Sequence, residues 1–341
     1  MKIALVTDLH FGARNNSKLS QLIMEKQKHF YENLFFPYLE ENNITHINVL
    51  GDVFDKRKGP DTQTLNFANE VFFKKLDNID TNIVVGNHDT VYKNSLNPNS
   101  LSIICDLHNV SLIDRPICIN GIDLIPWICE ENEEEILSFI KQSSSVYAMG
   151  HFDLQGFMMN KGIESKYSSR DKDFLYRYSK VFSGHFHTRS SHDNIEYIGS
   201  PYEMNWNDYN DPRGFSVFDT NTGKNEYIDN PDTMFTLINY IDGYDELLNL
   251  DNQIVKVIVK SRTNKGKYEV DIENINKLAV DLKISIEDNL IVGEDSYDET
   301  KKQLDTRDYL LGWVDRLDIE NKSYVKEKLS NLFERANNGI I

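Results

Sequence analysis

The chain has 341 residues, of which 40% are hydrophobic and 27% charged, and its formal net charge is −17. This composition is typical of a globular protein and argues against extensive disorder. The three cysteines have neither close pairing nor zinc-finger spacing, which argues against a disulfide framework and a structural zinc site. No stretch approaches the roughly 20 consecutive apolar residues of a membrane helix, and the segment MKIALVTDLH is predicted to be a first strand and not a signal peptide. We therefore expect a soluble cytoplasmic protein that does not associate with a membrane.

Up to about residue 219, short β-branched segments alternate with helical ones. The predicted strands are IALVTD, INVLGD, NIVVGNHD, VYAMGH, KVFSGH and EYIGS. The predicted helices have apolar residues three and four positions apart and span residues 19–41, 62–76 and 133–141. This alternation predicts an α/β core. In such sheets, functional residues gather just beyond the carboxyl ends of the strands.

The pattern changes from about residue 214. A hairpin is predicted around turn residues 221–223. A smaller unit follows, with strands near 234–240 and 253–260, a helix near 270–283 and a strand near 283–292. Two amphipathic helices are then predicted at about 301–317 and 321–335. We therefore predict three domains, at residues 1–230, 231–293 and 294–341.

Five polar motifs each follow a predicted strand. They are Asp8-Leu9-His10, Gly51-Asp52-Val53-Phe54-Asp55, Gly86-Asn87-His88-Asp89, His151 and Gly184-His185-Phe186-His187. Taken singly, D-L-H, G-D and the lone histidine are also compatible with ordinary turn or structural residues. Side chains two positions apart on an extended chain lie on the same side, so both ends of D-x-H can reach one ion, and H-x-H aims two imidazoles in the same direction. Because all five motifs lie in order in one α/β segment, we predict that they share a metal site.

In this order, D-x-H, G-D-x-x-D, G-N-H-D, H and G-H-x-H resemble the signature of calcineurin-like metallophosphoesterases. More narrowly, the chain looks like the DNA-repair branch of that family, which includes SbcD-like nucleases and the recombination endonuclease subunits of T-even-like phages. Similar strings also occur at residues 123–127, 197–201 and 212–215. The resemblance implies a four-layer αββα sandwich, a small α+β capping domain and C-terminal helices. A phage-encoded chain of this kind would work in the host cytoplasm.

The resemblance also implies two divalent metal ions, with Mn²⁺ as the expected ion and Mg²⁺ as the alternative. One ion would be held by Asp8, His10, Asp52 and His187. The other would be held by Asp52, Asn87, His151 and His185, so that Asp52 bridges the pair. Two ions of this kind lie roughly 3.5 to 4 Å apart, and they polarise the phosphate and help to prepare the nucleophile for in-line displacement.

Three further residues receive roles from the same resemblance. His88 would contact the phosphate and assist the leaving oxygen, as a general acid or as a stabiliser of the transition state. Asp55 and Asp89 would orient imidazoles from behind the ligands. Some relatives have a histidine at the position of Asp55, which leaves its role in DNA handling open.

A basic cluster, Lys56-Arg57-Lys58, follows the second motif directly. It is either a solvated loop or a contact to the DNA backbone, which would position a duplex without reading its sequence. Lys161, Lys166 and Arg170 are weaker candidates. The net charge of −17 lowers the expectation of tight autonomous DNA binding, although bound cations offset their carboxylate ligands locally.

The last two predicted helices carry an apolar surface that includes Tyr309, Leu310, Trp313 and Phe333. The resemblance implies that this region docks onto the coiled coil of an SMC-like ATPase, whereas packing within the chain is the alternative. A homodimer within such a complex is also expected.

We therefore predict a Mn²⁺-dependent DNA exonuclease and endonuclease that acts with an SMC-like ATPase in recombination, repair or end processing. The alternatives are a small-molecule phosphoesterase, such as a nucleotidase or cyclic-nucleotide phosphodiesterase, and a non-catalytic scaffold.

Overall fold

The structure is a computed structural model that describes residues 1–14, 19–160, 162–165, 170–287, 322–323, 325–326 and 328–330. The chain divides into two units, residues 1–288 and residues 289–341. In the second unit, the described residues are helical. The helix predicted at residues 301–317 lies outside the described residues. None of the helices in the described parts of the chain is long and apolar enough to cross a membrane.

The first unit contains 17 strands and six α-helices in its described residues. The strands are β1 Lys2–Val6, β2 His46–Val49, β3 Asp80–Val84, β4 Ser111–Ile113, β5 Ile117–Ile119, β6 Ile122–Ile125, β7 Tyr147–His151, β8 Met158–Asn160, β9 Ile163–Glu164, β10 Lys180–Gly184, β11 Ser190–His192, β12 Ile195–Tyr197, β13 Gly214–Asp219, β14 Lys224–Asp229, β15 Phe235–Ile241, β16 Ile254–Ser261 and β17 Asp281–Ile286. The helices are α1 Ser20–Phe30, α2 Phe36–Glu41, α3 Thr62–Val71, α4 Ser102–Leu107, α5 Glu133–Gln142 and α6 Lys265–Leu278.

Two six-stranded sheets form the centre of this unit. The first has the order β14-β13-β1-β2-β3-β4, and the second has the order β11-β12-β10-β7-β6-β5. Most strands of each sheet run parallel, β1 to β4 in the first sheet, where β4 forms one edge, and β6, β7, β10 and β12 in the second. Antiparallel strands close the edges at β13–β14, β11 and β5. The carboxyl ends of the parallel strands therefore meet at one end of each sheet.

Side-chain alternation along the strands builds a layer of core on each side of the first sheet. In β1, Ile3 and Leu5 pack with Leu124, Met149 and other residues of the second sheet. Ala4 and Val6, which point the other way, join the cluster formed with α1, α2 and α3. A third cluster includes Ile136 and Ile140 of α5 and covers the outer face of the second sheet. The layers are thus helix, sheet, sheet and helix, which confirms the predicted four-layer α/β sandwich.

The single helix predicted for residues 19–41 is interrupted. Between α1 and α2, residues Tyr31–Phe35 form a π-helical turn, after which the N–H of Phe36 donates to the carbonyl of Tyr31. Pro37 explains the break, because proline has no N–H to donate within a continuous helix. The wider turn brings Tyr31 and Phe35 into the core, where both are fully buried.

Residues 235–286 form a separate three-stranded parallel sheet with the order β15-β16-β17. Its helix, α6, begins five residues earlier than predicted, because the side chain of Asn264 accepts from the N–H of Lys267 and caps it there. The last strand begins two residues earlier than predicted and spans Asp281–Ile286, and residues 288–292 of the predicted strand lie outside the described residues. The predicted hairpin of β13 and β14 is confirmed. The division of the chain at residues 230 and 293 stays a prediction.

The aromatic cluster beneath the first sheet supplies a test of the packing. The Phe35 ring lies 4.9 Å from that of Phe215 and 5.2 Å from that of Phe36, measured between centroids, and Phe35 is fully buried. Phe35→Ala should lower the free energy of unfolding by about 3 to 5 kcal/mol, because it leaves a cavity. Denaturant unfolding measures this loss. The control Ile103→Ala, at a side chain that is 85% exposed, should change the stability by less than about 0.5 kcal/mol. Equal effects of the two substitutions would contradict the packing described.

Candidate metal centre

The five motifs meet at one edge of the two-sheet core. Asp8 and His10 follow β1, Asp52 follows β2, and Asn87 follows β3, which are neighbours in the first sheet. His151 ends β7, and His185 and His187 follow β10, which is its neighbour in the second sheet. Because the sheets pack face to face, the strand ends of both deliver ligands to the same place.

The first cluster consists of Asp8, His10 and His187. The Nε2 atoms of His10 and His187 lie 3.1 Å apart. The Oδ1 atom of Asp8 lies 3.8 Å from the first of these nitrogens and 3.7 Å from the second. The other oxygen of Asp8 accepts from the N–H of His185 at 3.0 Å. Three potential ligand atoms therefore face one point, while the remaining oxygen of Asp8 fixes the carboxylate.

The second cluster consists of Asp52, His151 and His185, with Asn87 beside them. The Oδ1 atom of Asn87 lies 3.0 Å from His151 Nε2 and 2.9 Å from His185 Nδ1. The Oδ2 atom of Asp52 lies 3.4 Å from His151 Nε2 and 3.9 Å from His10 Nε2 of the first cluster. The Asp52 carboxylate therefore stands between the two clusters, where a bridging ligand is required.

The donor set fits a pair of divalent cations. Ligand atoms about 2.1 Å from an ion in an octahedral arrangement lie about 3 Å from their neighbours, close to the shortest separations in both clusters. The Oδ1 atom of Asp8 is buried and has no hydrogen-bond partner in the described part of the chain. A buried carboxylate oxygen without a partner is costly, and a cation would satisfy it. Imidazole nitrogens with carboxylate and amide oxygens suit Mn²⁺ and related ions.

Hydrogen bonds to backbone carbonyls fix the tautomers of two histidines. The Nδ1 atom of His151 lies 2.7 Å from the carbonyl oxygen of Leu50, and that of His88 lies 2.7 Å from the carbonyl oxygen of Asp55. A carbonyl can only accept, so each Nδ1 carries the proton and donates it. In the neutral rings the Nε2 atoms can then accept, that of His151 within the second cluster and that of His88 at a partly buried position.

Asp55 and Asp89 make different contacts. The carboxylate of Asp55 lies 3.5 Å from His10 Nδ1, which has no hydrogen-bond partner in the described residues, and the predicted role of Asp55 in orienting an imidazole stays a prediction. The Asp89 carboxylate instead accepts from four backbone N–H groups, those of Asp52, Val53, Phe54 and Gly86. This differs from the predicted contact of Asp89 with an imidazole. Asp89 braces the main chain that carries Asp52, because its two oxygens tie the turn after β2 to the turn after β3.

Glycines in three of the motifs permit the close approach of these turns. A Cβ atom on Gly86 would lie 2.3 Å from Asp52 Oδ1, and one on Gly51 would lie 2.4 Å from His151 Nδ1. A Cβ atom on Gly184 would lie 2.0 Å from the hydroxyl oxygen of Thr7. Real Cβ atoms do not come this close to a neighbour. The glycines are therefore part of the site, although they contribute no ligand.

The backbone at four ligands is held in the left-handed region. The φ angles of Asp8, His10, Asp52 and His185 are 53°, 42°, 54° and 89°. Non-glycine residues rarely adopt such angles, and they concentrate at functional sites where surrounding contacts enforce them. At these positions the chain leaves its strand, and side chains from both sheets meet beyond the strand ends.

Burial and charge set the protonation of the ligands. Burial raises the pKa of Asp8, lowers that of His10 well below its usual value and, with the nearby His151, lowers that of His185 to about 3. Burial would also raise the pKa of Asp52, but His151 outweighs it and holds that pKa below the usual range. Against the effect of its own burial, His151 has its pKa raised to about 9 by Asp52. Asp52 thus favours the protonated form of His151, whereas a metal ion binds the neutral imidazole, so metal binding would release a proton.

Two residues beside the second cluster were not predicted as part of the site. The Trp127 ring lies 5.2 Å from that of His185 and 5.9 Å from that of His151, measured between centroids. The Oδ1 atom of Asp153 lies 3.8 Å from His185 Nε2. Asp153 stands two positions after His151 in the sequence, an H-x-D spacing that could have identified it. Trp127 occurs in the string DLIPW, to which the family resemblance gives no role.

The predicted peripheral residues have varied surroundings. Lys56 lies 3.4 Å from the carboxylate of Asp61, and Lys58 is exposed. Arg170 forms an ion pair with Glu133 of α5. Lys161 and Lys166, and the predicted docking residues Tyr309, Leu310, Trp313 and Phe333, lie outside the described residues.

Comparison with known proteins identifies the family of the chain. A family model described as calcineurin-like phosphoesterase matches residues 1–189. Exonuclease subunit 1 of Enterobacteria phage T4 is 36% identical over 339 residues, which cover 96% of this chain and 97% of that protein. A solved structure titled as a novel archaeal phosphodiesterase covers 67% of this chain and 100% of its own at 12% identity, with a TM-score of 0.30, which is too low to support an inference. The chain therefore belongs to the calcineurin-like phosphoesterase family, and it is an enzyme that hydrolyses phosphoester bonds.

Proposed function

We propose that the chain is a DNA exonuclease and endonuclease that depends on two divalent cations, with Mn²⁺ as the activating ion. The observation that carries this proposal is the pair of ligand clusters that share Asp52, with His88 beside them. The phage T4 relative, called an exonuclease subunit, is similar over nearly the whole length of both chains, which supports DNA as the substrate.

Each residue of the site then has a defined task. Asp8, His10, Asp52 and His187 hold one ion, and Asp52, Asn87, His151 and His185 hold the other. When bound, the ions neutralise the phosphate charge and activate the attacking water. His88 is fixed through its Nδ1 by the carbonyl of Asp55. When both nitrogens of the ring are protonated, its Nε2 can meet a phosphate oxygen in a constant orientation and give its proton to the leaving 3′ or 5′ oxygen, which leaves the neutral imidazole.

The bracing described for Asp89 contributes to this mechanism indirectly. Asp52 donates its N–H to Asp89, and its Oδ1 accepts from the N–H of His88 at 2.7 Å. The bridging carboxylate and the proposed acid are thus joined by a single hydrogen bond. A preorganised arrangement of this kind avoids reorganisation during the reaction, which is a main source of catalytic power.

We propose further that the enzyme works as one subunit of a complex with an SMC-like coiled-coil ATPase, in recombination, repair or end processing. The relative's name describes a subunit, which supports a partner. Docking through residues 294–341, contact of residues 231–293 with DNA, and a homodimer within the complex belong to the same proposal. The net charge of −17 favours an arrangement in which a partner supplies part of the grip on DNA.

The substrate class can be tested with the purified chain. With Mn²⁺ it should degrade linear duplex DNA and nick single strands, and chelation by EDTA should abolish both activities because the ions provide the main neutralisation of charge. Gel electrophoresis of labelled DNA measures the products. A small chromogenic phosphodiester should be assayed in parallel. If that compound is hydrolysed while DNA remains intact, even with the ATPase subunit present, the small-molecule alternative is correct.

His88→Ala should lower the rate of DNA cleavage by about 10² to 10⁴-fold. It should leave two bound Mn²⁺ ions per chain. Titration calorimetry with Mn²⁺ gives the number of ions, and a cleavage assay gives the rate. Asp52→Asn is the matched control, because loss of the bridging charge should remove metal as well as activity. Loss of Mn²⁺ from the His88 variant would mean that His88 is a ligand.

The basic cluster can be tested through the salt dependence of DNA binding. Changing Lys56, Arg57 and Lys58 together to Ala should weaken binding and reduce the slope of log K against log salt by about 0.9 for each DNA phosphate that the variant no longer neutralises. The control changes Lys28, Lys74 and Lys75, which are exposed lysines of α1 and of the turn after α3, and removes the same charge. Fluorescence anisotropy at several salt concentrations measures both variants. Equal slopes in the two would mean that the cluster is only a solvated loop.

A further inference from the structure

Helix α1 lies between the metal ligands and the three-stranded sheet β15–β17. It contributes no ligand and follows the first motif by only ten residues. One of its residues, Gln27, is fully buried, although glutamine is usually exposed. A buried amide is costly unless it is hydrogen-bonded, so its partners indicate why it is there.

The partners of Gln27 are the peptide groups on either side of His10. Its Nε2 lies 3.2 Å from the carbonyl oxygen of Leu9 and 3.4 Å from that of His10, and it also donates to the hydroxyl of Tyr202 at 3.1 Å. The hydroxyl of Tyr202, also buried, donates in turn to the carbonyl of Leu9. Two buried side chains therefore hold the main chain on both sides of the His10 Cα atom. His10 has a φ of 42°, an angle that must be enforced from outside.

The same helix contacts the three-stranded sheet through neighbouring residues. Leu22 and Ile23 pack against Met234, Phe235 and Ile254. Residues three and four positions apart share a helix face, so Ile23 and Gln27 are successive residues of one row along α1. The apolar contact with the sheet and the polar contact with the His10 peptides are thus one helical turn apart.

A charged contact adjoins the apolar one. Asp232, three residues before β15, lies 2.6 Å from Lys26 Nζ and 3.3 Å from His29 Nδ1. Lys26 is the immediate neighbour of Gln27. The segment that leads into the three-stranded sheet therefore forms an ion pair with α1 at the residue next to Gln27, which hydrogen-bonds to the main chain at His10.

We infer that Gln27 is a positioning residue for the metal ligand His10, and that α1 couples this position to the three-stranded sheet. The inference rests on the proposed function, because it takes His10 as a ligand. A displacement of the sheet that carries α1 with it changes the distances between the Gln27 amide and the two carbonyls. Hydrogen bonds of this kind weaken steeply with geometry. The first ion is then held less firmly, while the ligands of the second ion, His151 and Asn87, are placed directly by β7 and β3.

The experiment measures Mn²⁺ binding by titration calorimetry in the full chain, corrected for the folded fraction from circular dichroism. Gln27→Met keeps the side-chain volume but removes the donor, and it should weaken the binding of one of two ions about tenfold, as loss of a group behind a ligand commonly does. Cleavage of DNA at saturating Mn²⁺ should return close to the wild-type rate. Gln27→Ala, which also leaves a cavity, serves as the second variant.

The outcomes separate the claims. If the wild-type chain does not bind two Mn²⁺ ions, the proposed function fails. If it binds two and Gln27→Met binds them equally well, Gln27 serves only for packing and the inference is overturned. Lys28→Ala, an exposed change on the same helix, should leave binding unchanged, and weakened binding there would also count against a specific role.

Asp232→Ala tests the coupling to the sheet. It should weaken Mn²⁺ binding in the same direction as Gln27→Met, and the double variant should bind no more weakly than Gln27→Met alone, because both changes act through one path. Unchanged binding in Asp232→Ala, or additive losses in the double variant, would show that α1 does not connect the sheet to His10.

Discussion

The buried carboxylate of Asp52 is the constraint on which the rest of the site depends. A charged group inside a protein is tolerated only when opposite charges and hydrogen-bond donors surround it. Asp52 meets this condition with the N–H of His88 on one oxygen and the imidazole of His151 near the other. Every other ligand must then reach a point within a few ångströms of one side chain. The glycine turns, the left-handed backbone and the meeting of two sheets all serve this convergence.

Because these residues must converge, many of the surrounding side chains form hydrogen bonds to the main chain beside the site. Asp89 accepts hydrogen bonds from four N–H groups. Gln27 and Tyr202 donate to the carbonyl of Leu9. Arg213 donates to the carbonyl of His187. Each contact fixes a peptide next to a ligand and not the ligand itself. Because the allowed rotamers of a side chain depend on the backbone φ and ψ angles, contacts that fix these peptides also restrict the orientations open to the predicted ligands.

The motifs of the candidate site could be recognised from sequence because a strand followed by Asp, Asn or His is a local pattern, and the structure brings the five motifs together. Which of their residues hold metal stays a prediction. The residues that hydrogen-bond to the main chain beside the site could not be recognised in this way. Gln27 reaches carbonyls 17 and 18 residues away, and no periodicity records such a contact. Asp89 was placed in the site but given a different partner, since the sequence does not show which groups a buried carboxylate will meet. Among the elements, the predicted start of α6 was wrong because the cap at Asn264 lies before the apolar periodicity begins. The break in the helix predicted for residues 19–41 was missed because the apolar residues of the π-helical turn before Pro37 keep the spacing of a continuous helix.

The division of the ligands between two sheets has a thermodynamic consequence. Asp8 and His10 come from the first sheet and His187 from the second, and Asn87 and His151 are divided in the same way. Neither sheet alone presents a complete set, so an ion has high affinity only for the state in which the sheets are packed. Anything that binds the native state selectively stabilises it in proportion to the logarithm of its concentration. On the proposed assignment of the ligands, the cations would therefore also act as a clamp across the central core, and the resistance of the fold to unfolding would rise with the concentration of metal.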